Sequence, residues 1–197
     1  MRIARIGPLG RERAAVILGQ SVIYVDSVIS DWTRIELENG AVEKVARTDL
    51  STLPTEPLGK NRIGPPIHNP TKVICVGLNY LGHIKEANAE TPKEPIIFMK
   101  APDTVIGPND DIVIPPNSDA TDYEVELAIV IGKNALYLDS PDQAPEYILG
   151  YTISQDISER HWQLCGITRH LERAECRHHH AGAAARPVLL WPTAERD

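Results

Sequence analysis

The chain has 197 residues, 42% of them apolar, and a formal net charge of −7. That length accommodates one domain or two small ones. The acidic balance argues against a nucleic-acid surface, which would show a basic patch, and no apolar run approaches the roughly 20 residues needed to cross a bilayer. The N-terminus runs Met1-Arg2-Ile3-Ala4-Arg5 and then Gly7-Pro8-Leu9-Gly10. It lacks the apolar stretch of a signal peptide. Cys75, Cys165 and Cys176 are odd in number and fit no zinc or disulfide spacing. A cytoplasmic setting is expected, with Cys75 as a small core residue and neither nucleic acid nor membrane as a partner.

Residues 1–66 read as a small β-rich N-terminal domain. Residues 14–18 and 22–25 are strand-like around Gly19-Gln20, and Asn39-Gly40 between short apolar stretches suggests a further hairpin. A Pro/Gly-rich stretch, from Pro54 through Pro65-Pro66 to Pro70, marks the boundary. A second unit, residues 70–164, opens with a strand at 72–76. A short helix is expected at 79–88, strands at 96–99 and 112–114, and a longer strand within Asp122-Tyr123-Glu124-Val125-Glu126-Leu127-Ala128-Ile129-Val130-Ile131-Gly132. A short helix at 141–147 precedes a strand at 148–154, which delivers Asp156. The fold class expected is mainly β, of α+β type.

Alternate residues on a strand share a face, so Glu124 and Glu126 point the same way. Two adjacent carboxylates stay ionised cheaply only near positive charge. With Asp156 they make an all-oxygen set suited to a hard cation, Mg²⁺ first, then Mn²⁺ or Ca²⁺. The plainer reading is the solvent face of an amphipathic strand. His83 and Glu86, three apart on the short helix, could serve as an acid–base pair or as an incidental exposed pair. Lys100 could meet an anionic substrate or cap a strand. Arg160 and Gln163 follow Asp156 on an expected helix with Ser158 as its cap.

In order, these segments resemble the fumarylacetoacetate hydrolase family, including its bacterial 2-hydroxyhepta-2,4-diene-1,7-dioate isomerase and acylpyruvase-like members. The matching text is Val76-Gly77-Leu78-Asn79-Tyr80 with His83 and Glu86, then Pro95-Ile96-Ile97-Phe98-Met99-Lys100. Asp122-Tyr123-Glu124-Val125-Glu126-Leu127, Gly150-Tyr151-Thr152, Gln155-Asp156-Ile157-Ser158, Arg160 and Gln163 follow. The resemblance implies a β-roll catalytic domain acting on a small oxo-acid. The reaction would be C–C bond hydrolysis, decarboxylation or enol/keto isomerisation. It implies Mg²⁺ or Mn²⁺ on Glu124, Glu126 and Asp156, chelating the substrate and stabilising its enolate. It also implies a catalytic pair in His83 and Glu86 on a lid helix. Substrate contacts would come from Tyr80, Lys100, Arg160 and Gln163, and the chain would form a homodimer.

The resemblance stops after Leu164. Residues 165–197 lack lysine and are rich in Ala, Arg and His, including His178-His179-His180. The expectation here is an incomplete β-roll followed by an atypical, out-of-frame or disordered tail. Adjacent histidines are poorly placed to chelate one zinc ion. A contrasting expectation follows: a truncated metal-binding or interaction protein with weak or absent turnover.

Overall fold

The computed structural model describes residues 1–164; the expectations for the tail at 165–197 lie outside the described residues. The chain begins with an antiparallel sheet in the order β1-β2-β3-β4, with β1 Arg2–Ile6, β2 Arg13–Leu18, β3 Ser21–Tyr24 and, later in the chain, β4 Thr55–Pro57. β2 (RAAVIL) is apolar on both faces, so the sheet needs cover on both. One face packs Ile3, Val16, Ile23 and Val25 against Trp32, Ala41 and Val45, and the other packs Ile6, Ile17, Val22 and Tyr24 with Leu58 and Ile63. Trp32 is fully buried, and its indole N–H donates to the Ala15 carbonyl at 3.1 Å.

The hairpin expected around Asn39-Gly40 is instead a pair of helices, α1 Arg34–Glu38 and α2 Ala41–Ala46. Gly40 has φ 74. The left-handed backbone that makes Asn-Gly a hairpin signal also serves a helix end, and here the helix wins. Thr33 caps α1 by accepting the Glu36 N–H, and the apolar Ala41 and Val45 of α2 close over the sheet.

The Pro/Gly stretch does not hang free. Gly7 N donates to Arg62 O at 3.0 Å, Gly64 N to Arg5 O at 2.8 Å, and His68 N to Trp32 O at 2.9 Å. Arg62 then ties both units together. It donates to Glu12 at 2.6 Å and reaches Asp110 through two bonds of 2.6 Å. Asp110 also accepts from Gly107 N at 2.7 Å, and a Cβ on Gly107 would stand 2.3 Å from Ile63 O, so only glycine fits. Burial alone would push Glu12 up, but the Arg62 and Arg5 guanidiniums hold it below the usual range. The Arg62 hydrogen bonds hold Asp110 low as well.

Replacing this guanidinium, as in R62M, leaves Glu12, only 4% exposed, with just the longer 3.4 Å contact to Arg5. The expected loss of stability is about 2–3 kcal/mol, since Arg62 itself is partly solvated. Asp110 has a depressed folded pKa. Its share is therefore present above the ordinary 3.8 and lost as pH falls through the lower folded value. The gap between R62M and the unaltered chain should narrow in urea melts below about pH 4.

The second unit is built of short antiparallel pairs. β5 Val73–Gly77 leads into α3 Leu81–Glu86 and returns as β6 Ile96–Lys100, paired with β5. β7 Thr121–Asp122 precedes β8 Val125–Ile131, which pairs with β9 Ile148–Gln155. β10 Ser158–Glu159 pairs back to β7, and α4 Arg160–Leu164 follows. The expected helix at 141–147 is a 3-10 helix, Pro141–Tyr147. The strand expected at 112–114 is absent: the segment runs unpaired between Asp110, pinned by Arg62, and Pro115-Pro116, which have no N–H to donate. Ser158 lies in β10 rather than capping α4, and the Glu159 carboxylate accepts the His161 N–H instead.

Burial differs sharply between the units. Val125, Leu127, Ile129 and Ile131 on β8 are each more than half exposed, as are Ile74, Ile97 and Met99 on β5 and β6. Only Val130 and Leu149 of the β8–β9 pair reach the N-terminal core.

Candidate active site

The β8–β9 register builds the site. Glu126 pairs with Ser154, and directly opposed residues in an antiparallel pair share a face. Two residues before Glu126, just ahead of β8, is Glu124, and two residues on from Ser154 is Asp156. Asp156 N donates to Glu124 O at 2.8 Å, so the pairing continues past the formal end of β9. The three carboxylates therefore share the inner, less exposed face, while Val125 and Leu127 point outward.

Two cations reach this face. Lys100, the only buried residue of β6, contacts Asp156 Oδ1 with its ammonium and donates to Ile157 O at 3.1 Å. The Asp156 Oδ1 atom is buried, and its contact with Lys100 is an ion pair lacking hydrogen-bond geometry. Arg160 pairs with Glu124 and bonds Asp122 Oδ2 at 3.0 and 2.9 Å. These bonds outweigh burial in raising the Arg160 pKa, and they hold Asp122 low. Asp122 was missed as a site residue, although the alternation Asp122-x-Glu124-x-Glu126 carries the signal. Gln163 accepts from Arg160 at 3.0 Å on the exposed side.

The α3 segment approaches from the other side. The Tyr80 hydroxyl accepts the Leu127 N–H at 3.0 Å, which anchors this segment to β8. Glu126 is pushed above its usual pKa by burial and by the charges of Glu124 and Asp156, against the opposing pull of Tyr80 and His83. His83 is exposed on α3. Glu86 is exposed on the same helix, three residues further on. Cys75 is half-buried, and its thiol is pushed up by burial and by Asp156 and Glu126, so it is held as a thiol rather than a metal-binding thiolate.

These observations fit a hard divalent cation. The donors are carboxylate oxygens. The four carboxylates at 122, 124, 126 and 156 face two cations, which leaves a formal charge of −2. Among the described residues no three His, Cys, Asp or Glu side chains converge closely enough to enclose an ion as they stand. The fit is therefore one of donor type and charge, not of closed coordination.

The raised Glu126 pKa has a testable sign. A carboxyl whose folded pKa is raised stabilises the fold below its ordinary value, 4.5, and that contribution is lost as pH rises through the folded value. E126Q mimics the protonated form. In chelated buffer it is expected to melt above the unaltered chain at neutral pH, with the difference vanishing toward pH 4.5 and below. Melting curves across that range check it.

The fold and this face define a β-rich protein of the fumarylacetoacetate hydrolase type. Residues 72–184 match the family described as fumarylacetoacetate (FAA) hydrolase C-terminal, and the chain belongs to that family. It is 45% identical over 130 residues to a mitochondrial oxaloacetate tautomerase of Homo sapiens, a match covering 65% of this chain and 41% of that protein. The structure is similar to a fumarylacetoacetate hydrolase from psychrophilic Exiguobacterium antarcticum, with a TM-score of 0.74 and 29% identity, covering 96% of this chain and 66% of that one. It is also similar to a 2-hydroxyhepta-2,4-diene-1,7-dioate isomerase from Mycobacterium marinum, with a TM-score of 0.65 and 27% identity, covering 99% and 67%. The chain thus spans about two fifths of the curated relative and two thirds of the solved chains. No helix among the described residues is long and apolar enough to cross a membrane.

Proposed function

We propose that this chain carries the metal-binding face of a divalent-metal-dependent enzyme acting on a small oxo-acid. Glu124, Glu126 and Asp156 would hold Mg²⁺ or Mn²⁺, and the observation that carries this is their placement on one face by the β8–β9 register. The ion, when bound, would supply Lewis-acid polarisation of a 2-oxo acid's carbonyl. Arg160 and Gln163, already bonded to each other beside Glu124, would orient the substrate carboxylate. Tyr80 would fix α3 against β8. His83, three residues from Glu86 on the helix that Tyr80 anchors, would take a proton from the substrate carbon or return one to it. The related proteins catalyse tautomerisation, hydrolysis and isomerisation by name, and all three require proton movement next to a carbonyl.

The same reading includes a homodimer, supported by the exposed apolar faces of β5, β6 and β8. Light scattering is then expected to give about twice the 21.8 kDa chain mass. The reading is tested by following oxaloacetate enolisation and acetylpyruvate cleavage with Mg²⁺ or Mn²⁺. Metal-dependent turnover that disappears in E126A supports it. Metal binding without turnover of either compound would leave a non-catalytic metal-binding protein.

A further inference from the structure

Lys100 was expected at the sequence level to meet substrate. Its surroundings point elsewhere. The other four residues of β6 are exposed, and Lys100 alone turns inward. Its side chain is 7% exposed, and the Asp156 side chain it touches is 9% exposed. A lysine is costly to take out of water unless its charge and donors are matched, so a buried one marks a position where charge is needed. Both of its partners, Asp156 and Ile157 O, lie at the corner where β9 gives way to β10.

The ammonium meets the carboxylate of Asp156 at Oδ1, while the Asp156 N–H is tied to the Glu124 carbonyl. The backbone bond fixes where Asp156 starts, and the ammonium fixes how its carboxylate is turned. A carboxylate held through one oxygen presents the other in a fixed direction, which is how outer partners orient metal ligands.

We propose that Lys100 is a positioning residue: it orients Asp156 on the metal face and does not contact the oxo-acid. The inference rests on the metal reading above. It is tested on the full chain by Mn²⁺ titration, following the electron paramagnetic resonance signal, with circular dichroism to count folded protein. K100M and K100Q are expected to bind Mn²⁺ about 10–100-fold more weakly per folded chain and to alter the line shape of the bound ion. K72M, at an exposed lysine, is expected to change neither. If K100M does not fold, K100Q, which keeps an amide donor, gives the same reading. Mn²⁺ affinity within twofold of the unaltered chain in the folded variants would overturn the proposal. So would unchanged Mn²⁺ affinity with weakened pyruvate binding to the Mn²⁺-loaded protein, because that assigns Lys100 to substrate. If the unaltered chain binds no Mn²⁺, the metal reading fails and this inference fails with it.

Discussion

Asp156→Ala is expected to destabilise the fold by about 3–5 kcal/mol, because it leaves a buried ammonium without its counter-charge. Lys100 cannot simply swing into water: its side chain is 7% exposed, and its second partner is the Ile157 carbonyl. The asymmetry of buried ion pairs makes the prediction sharper. Removing one partner is costly, whereas replacing both by apolar groups is often close to neutral. The double variant D156A/K100M should therefore be more stable than D156A alone, although it carries one more substitution. Urea melts of the unaltered chain, D156A, K100M and the double variant measure this, and strictly additive losses would show that the pair does not interact.

Trp32→Ala is expected to cost a similar amount, about 3–5 kcal/mol, for a different reason. Trp32 fills the space between the first sheet and α2, with no exposed surface, packed among Val16, Val25 and Val45. Its removal opens a cavity that the rigid sheet can only partly close. It also strips the Ala15 carbonyl of the indole donor at 3.1 Å. W32F keeps most of the volume while losing the hydrogen bond, so its cost should fall well short of that of W32A. Because the largest buried cluster of the described residues is here, W32A is also expected to lower the melting temperature of the whole chain rather than of one element.

The sequence made the site's strand legible and pointed to its cations, Lys100 and Arg160, without their partners. Alternation is a local property, so Glu124 and Glu126 could be placed on one face from their spacing, and Asp156 at a strand end followed. The structure adds the register that sets Asp156 across from Glu124. The inward turn of Lys100 and the sharing of Arg160 between Asp122 and Glu124 are tertiary facts with no local signature. The two misread segments have definite causes. Asn39-Gly40 supplies left-handed backbone, which a helix end uses as readily as a hairpin. Residues 112–114 have strand composition, but the Arg62–Asp110 anchor and Pro115-Pro116 hold them out of any ladder. The exposed apolar faces of β5, β6 and β8 follow the same logic: their composition asks for cover that the described residues do not supply.

The central claim is that Glu124, Glu126 and Asp156 together form a divalent-cation site. Calorimetric titration of the full chain with Mn²⁺, beside E126A, tests it most directly. The account predicts one Mn²⁺ per chain, displaced by Mg²⁺ and lost in E126A while that variant remains folded. No binding by the unaltered chain, or equal binding by folded E126A, would contradict it.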